Sequence, residues 1–170
     1  ERYDIHNAIK ATMNGLKKYC WPSGNLDSSI KEASHHRVDR LVQWCHGATG
    51  HILLLMKAHE VYGDNEAYQK LACKLAKEVV WTRGLLRKGV GLCHGISGSA
   101  YALLAAGRKD TTIKHYGHVF ARFALYRLEQ LEGVPDEPYC LFNGVPGLVA
   151  LLLDLADEDD KARFPLYDYA

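Results

Sequence analysis

Several features that would announce a membrane protein, a nucleic-acid binder or a β-sheet domain are missing from this chain. No apolar run approaches the roughly 20 residues that a spanning helix requires, so no transmembrane segment is expected and only peripheral association with a bilayer stays open. The first residues, Glu1-Arg2-Tyr3-Asp4, form neither a signal peptide nor a transit sequence, which makes a cytoplasmic site of action the expectation. Surplus positive charge is also absent. The 21 Lys and Arg stand against 20 Asp and Glu, too even a balance to neutralise a run of phosphates, and nucleic acid is excluded as a main partner. No segment alternates apolar and polar residues over more than a few positions, so strands are not expected. Cysteine is sparse and odd in number, five in all, and two of the five adjoin histidines. That usage fits reduced thiols and a metal better than a disulfide framework.

What the chain does contain is an internal repeat. Trp44-Cys45-His46-Gly47-Ala48 and Leu92-Cys93-His94-Gly95-Ile96 are near-identical pentads, and each is followed by a second glycine at the same offset, Gly50 and Gly98. A third copy, Phe142-Asn143-Gly144-Val145-Pro146-Gly147, keeps the two glycines and has Phe142 and Asn143 in place of Cys and His. Gly47, Gly95 and Gly144 lie 48 and 49 residues apart, a period that marks stacked supersecondary units. Two units therefore offer metal ligands and one does not.

After each Gly-x-x-Gly comes a short apolar run: 51–56, 100–106 and 148–153. Apolar side chains on every face predict an inner helix buried all round. Between these runs the pattern is one-sided. Tyr68, Leu71, Ala72, Leu75, Ala76 and Val79 fall at helical steps with Gln69, Lys70, Lys74 and Lys77 between them, predicting an outer amphipathic helix over 65–83. Ile113, Tyr116, Phe120, Phe123, Ala124, Leu128 and Leu131 predict another over 112–131, and Ile5, Ala8, Ile9, Met13 and Leu16 a further one near the start. The expected class is all-α, built from repeated helical hairpins, and inner helices apolar all round favour part of a closed α/α ring over an open solenoid. The 170 residues, 48% hydrophobic and 24% charged, suffice for one sizeable core.

A Cys-His dipeptide has little structural use, whereas thiolate and imidazole together are what a borderline-soft cation such as Zn²⁺ selects. Repeat symmetry alone leaves two sites open. Cys45, His46, Cys93 and His94 could close a Cys₂His₂ structural site, or a subset of them could hold zinc with one position vacant.

At this point the motifs carry a family resemblance. Pro22-Ser23-Gly24-Asn25, Gln43-Trp44-Cys45-His46-Gly47, Gly84-Leu85-Leu86-Arg87-Lys88-Gly89, Gly91-Leu92-Cys93-His94-Gly95, Leu141-Phe142-Asn143-Gly144 and Lys161-Ala162-Arg163-Phe164-Pro165 together resemble the carboxyl-terminal half of a eukaryotic lanthionine synthetase C-like (LanC-like) protein. The resemblance implies an α/α toroid with residues 1–170 as the carboxyl-terminal portion of a single domain, incomplete on its amino-terminal side. It implies one zinc held by Cys45, Cys93 and His94 with the fourth position open to a thiol, glutathione in the eukaryotic branch. It implies addition of that thiol to dehydroalanine or dehydrobutyrine in a protein or peptide, which makes a thioether. Lys88 matches a lysine near the glutathione carboxylate, although a basic pair such as Arg87-Lys88 also serves simply as a solvated turn. His46, adjoining a ligand but not itself carried over as one, is the candidate acid in this chain for protonating the enolate that such an addition leaves. The remaining catalytic residues of such a protein are expected upstream of Glu1, which leaves the isolated chain with little turnover.

The chief alternative is a zinc-stabilised scaffold that binds glutathione or a protein and turns nothing over. A glycoside hydrolase would need two carboxylates facing one cleft, and Asp27, Asp39, Glu129 and Asp136 show no repeat-linked placement for it. Cys140 is out of register with the metal cysteines, Cys20 and Cys73 read as ordinary packed thiols, and His35, His36, His59, His115 and His118 read as surface or packing residues. Asn143 is left between capping its helix and bonding in the central cleft.

Overall fold

A computed structural model describes residues 2–29, 38–63, 66–131, 137–157 and 162–167, and among these it contains helices and no strand. His35, His36, Asp136 and Lys161 lie outside the described residues. The order is α1 (Arg2–Leu16), α2 (Ala48–Val61), α3 (Glu66–Leu75), a π-helical turn (Ala76–Val80), α4 (Trp81–Arg83), α5 (Ile96–Ala106), α6 (Thr111–Tyr126), α7 (Leu128–Leu131) and α8 (Val145–Ala156). α2, α5 and α8 are the expected inner helices. α3 runs through the π turn into α4 as the outer helix of the first unit, and α6 is that of the second.

The inner helix α5 lies at the centre of this arrangement. It packs against α2 on one side and α8 on the other, with α6 across its back. Every residue of α5 is buried, as an all-round apolar run demands. Gly117 on α6 allows the two helices to close up, since a side chain there would run into Leu104. α6 begins firmly because Asp110 caps it, accepting from the amides of Thr112 (3.0 Å) and Ile113 (3.2 Å). The outer stripe of the first unit also faces inward as expected. Ala72, Leu75, Ala76 and Val79 are buried, with Tyr68 and Leu71 packed at the edge. Beyond the π turn, Trp81 stacks on Tyr116 of α6 at 3.9 Å between ring centroids, tying the two outer helices together.

On α8, α2 and α1 burial departs from the sequence pattern, each time for want of a covering neighbour among the described residues. α8 has α5 and α6 on one side only, so Val149 and Leu153 stay exposed although its sequence is apolar all round. On α2, Leu54 is exposed where the rest of its apolar run is buried. α1 is helical, but only Met13 of its apolar stripe is buried, and Ile5 and Ile9 are exposed. The second outer helix also stops early. α6 ends at Tyr126, α7 restarts at Leu128, and Phe123 faces outward.

The glycine motif has a steric cause. At the second glycine of each unit a side chain would meet a backbone carbonyl oxygen six residues earlier, that of Trp44 for Gly50, Leu92 for Gly98 and Leu141 for Gly147. The loop before each inner helix folds back over its first turn, and only glycine leaves room. The three loops then pair side by side. Cys45 N–H donates to the Cys93 carbonyl (3.3 Å), and Cys93 N–H donates to the Phe142 carbonyl (2.7 Å). Equivalent residues of successive units are thus joined in a backbone chain, which is how cysteines 48 positions apart come to lie together.

Candidate metal centre

At the face where these loops meet, the ligand atoms of Cys45, Cys93 and His94 all lie within 4.8 Å of one another. Tetrahedral zinc with S and N ligands at about 2.0–2.3 Å sets its ligand atoms roughly 3.3–3.8 Å apart, so a small closing movement would seat the ion. Without an ion the Cys93 sulfur stays protonated. Burial, then the hydrogen bond and charge of Cys45, push the Cys93 thiol up to about 12, while the nearby Lys88 cation works in the opposite direction. Two neighbouring thiols cannot both ionise there without a cation between them, whereas a bound metal ion deprotonates a coordinating thiol outright. The donor set, two sulfurs and an imidazole, is of the type that zinc selects.

His46 stands apart from this trio. Its Nδ1 lies 3.2 Å from the Ser28 carbonyl, and because a carbonyl only accepts, the bond places the ring proton on Nδ1. The two pentads are not geometrically equivalent. Gly47, after His46, has φ 121°, and Gly95, after His94, has φ −90°. His94 joins the sulfurs, and His46 lines a cavity of about 830 Å³ beside Cys45, together with Asp27, Ser28, Trp44 and His51.

Sequence reasoning passed over Gln43. It is buried, its Nε2 donates to Cys45 Sγ (3.1 Å), and its Oε1 accepts from Lys88 Nζ (3.2 Å). Lys88 is therefore linked to the candidate ligand Cys45 through one amide, so it is more than a solvated turn residue. No periodicity or ligand spacing marks Gln43; its place in the motif before Trp44-Cys45 was the available signal.

The first loop is held by a second network. The Asn25 side chain, buried in the turn after Pro22-Ser23-Gly24, accepts from the first amide of α2, Ala48 N (2.6 Å), and donates to the Leu41 carbonyl (2.9 Å) and to Asp39 (2.8 Å). Asp39 also takes Ser23 Oγ at 2.6 Å and a two-pronged guanidinium from Arg83 at 2.6 and 2.9 Å. The Arg83 bonds above all, helped by Ser23 and Asn25, hold the Asp39 carboxyl far below the usual carboxylate range. Asp39 is thus a structural anion. Below the metal face Trp44 stacks on Phe164 (5.6 Å) and meets Phe142 (5.4 Å) and Tyr167 (5.6 Å). The Lys161–Pro165 motif matters here because Phe164 is buried in that aromatic cluster.

The other sequence candidates are placed as follows. Cys140 is half-buried and outside the ligand trio, but near enough for its charge to raise the Cys93 thiol. Cys20 and Cys73 are half-buried, their thiols bonded to the carbonyls of Leu16 (3.7 Å) and Ala106 (3.6 Å). His59 is buried, His118 half-buried and His115 exposed. Asn143 does not cap α8, whose N-cap is Gly144 without a side-chain bond. Among the described residues, no helix is long and apolar enough to cross a membrane.

The sequence model of the lanthionine synthetase C-like proteins matches residues 1–169. The chain is 35% identical over 167 residues to the glutathione S-transferase LANCL1 of Danio rerio, an alignment covering 96% of this chain and 39% of that protein. It is 36% identical over 136 residues to the LanC-like protein GCL1 of Arabidopsis thaliana, covering 76% of this chain and 31% of that protein. The chain thus spans about two-fifths or less of these relatives. Three repeat units joined loop to loop, a Cys-Cys-His trio at the junction and a match along nearly the whole length place this chain in the LanC-like family of α/α-toroid proteins.

Proposed function

We propose that this chain forms the carboxyl-terminal portion of a single LanC-like domain and carries the zinc- and thiol-binding face of a cytoplasmic enzyme that adds glutathione to dehydroamino acids in proteins or peptides. The observation that carries the reading is the convergence of Cys45, Cys93 and His94, from two different units, within 4.8 Å. The likeness to a relative named as a glutathione S-transferase supports the choice of thiol. Zinc bound there would supply the thiolate, since a free thiol with a pKa of about 8.5 is mostly protonated near neutrality.

The chain's own residues divide the remaining work. Gln43 donates to Cys45 Sγ, fixing that ligand and tempering its charge, while Lys88 holds Gln43 in orientation. The ammonium of Lys88 has three protons, so it can bond Gln43 and also meet a carboxylate of an anionic tripeptide. His46, with its proton fixed on Nδ1 by Ser28, turns Nε2 to the role of taking up and returning a proton when an enolate forms on the cavity side of Cys45.

The test compares the full-length protein, its Cys93→Ala variant and the 170-residue chain alone, following glutathione addition to a dehydroalanine peptide by mass spectrometry. Addition by the full-length protein that disappears in Cys93→Ala with folding intact is the expected result. An inactive full-length protein that unfolds on losing zinc would instead make it a scaffold.

A further inference from the structure

Buried polar groups nearly always have hydrogen-bond partners, because losing water without replacement opposes folding. His51 is an exception. It lies five residues beyond His46 at the start of α2, is only 7% exposed, and its Nδ1 has no partner among the described residues. Burial lowers its pKa to about 4, so the ring is uncharged near neutrality. It forms part of the wall of the 830 Å³ cavity that also contains Cys45 and His46. The repeat gives no packing reason for an imidazole. The equivalent residue of the second unit is Ser99, which donates to the Gly84 carbonyl, and that of the third is Leu148. Leu53, Leu54 and Met56 are the apolar side chains that α2 adds to this wall, beside Gly50 and Lys57, and a leucine at position 51 would suit them without stranding a polar atom.

We propose that this cavity seats the electrophilic partner of the thiol, an α,β-unsaturated carbonyl within a peptide, and that His51 binds it by donating a hydrogen bond to the carbonyl oxygen. This rests on the thiol-addition reading above. The cavity is of the size that holds a small peptide segment. The aliphatic part of its wall suits peptide side chains, and with Nδ1 sealed from solvent the uncharged imidazole has Nε2 left to offer the cavity its one N–H, the handle a neutral carbonyl requires. In the addition, the sulfur lone pair forms the C–S bond at the β-carbon and the C=C pair moves onto the carbonyl oxygen. A proton then reaches the α-carbon; nothing leaves and nothing is oxidised. The His51 bond tightens as the oxygen gains charge, so it favours the transition state over the bound substrate. A position near the amino end of α2, where the helix dipole opposes positive charge, keeps the ring neutral through that step.

The test uses the full-length protein with His51→Leu and His51→Gln. His51→Leu is expected to keep or raise the melting temperature and to leave zinc content and glutathione affinity unchanged. Its kcat/KM for a dehydroalanine peptide should fall about 100-fold, as when one oxyanion donor is removed, and His51→Gln should recover part of the loss. Unchanged kcat/KM in His51→Leu would overturn the assignment. Should the wild-type protein add no thiol, the reading of the reaction fails, and calorimetric binding of the dehydroalanine peptide without thiol then decides the cavity's role. Binding by wild type that weakens about tenfold in His51→Leu, the worth of roughly one hydrogen bond, upholds it; equal binding, or none to wild type, refutes it.

Discussion

Gln43→Leu reaches the proposed metal centre without removing one of its ligands. The side chain is 4% exposed, so leucine fills nearly the same space, and the backbone bond from Gln43 N–H to the His46 carbonyl survives. What disappears is the N–H donated to Cys45 Sγ at 3.1 Å, together with the acceptor for Lys88 at 3.2 Å. A hydrogen bond to a charged group contributes about 1.5–3 kcal/mol. At about 1.4 kcal/mol per decade that is a loss of roughly 10–100-fold in zinc affinity, the range found when outer partners of metal ligands are removed. Competition with a chromophoric chelator would read the affinity, and a zinc-free melting curve would show that the fold is little changed. Lys88→Met, which reaches Cys45 through Gln43 and otherwise removes only a cation near Cys93, should weaken zinc less. Zinc affinity within twofold of wild type in Gln43→Leu would refute the link between the amide and the metal.

Gly98→Ala should fail to give a stable fold, because its methyl meets the Leu92 carbonyl oxygen on a buried helix; circular dichroism melting would show a loss of ~3 kcal/mol or more. Asn25→Ala removes the acceptor for the first amide of α2 and two further bonds of a buried amide, and should cost about 2–3 kcal/mol, readable as a fall of ~5–10 °C in Tm. Arg83 holds the Asp39 carboxyl below its unfolded value, so this ion pair stabilises the fold above about pH 4 and the contribution is lost as pH falls further. Urea titrations at pH 6 and pH 3 should therefore show a smaller acid loss in Arg83→Met than in wild type, and an equal loss in both would contradict the assignment.

The repeat was legible because its glycines answer a constraint that the chain cannot evade. A carbonyl sits over the first turn of each inner helix at Gly50, Gly98 and Gly147, and no other residue fits. The convergence of Cys45, Cys93 and His94 was only half legible. Cys45-His46 and Cys93-His94 are alike as letters, and symmetry could not say which histidine turns toward the sulfurs; that is decided by backbone geometry at Gly47 and Gly95, which composition does not encode. Hydropathy located α5 and α8 equally well, yet only α5 is buried all round, because apolar content records a tendency to be covered and not which neighbour does the covering. Gln43, Asn25 and Phe164 were visible only as motif letters. Their roles depend on contacts with Lys88, Ala48 and Trp44, which come from other loops and helices once the chain has folded.

The most direct test of the proposed metal centre is zinc X-ray absorption on the full-length protein, with and without glutathione. The account requires two sulfurs, one imidazole nitrogen and one light atom, the last replaced by sulfur when glutathione is added. Two sulfurs and two imidazoles, unchanged by glutathione, would mean a closed structural site and would contradict it.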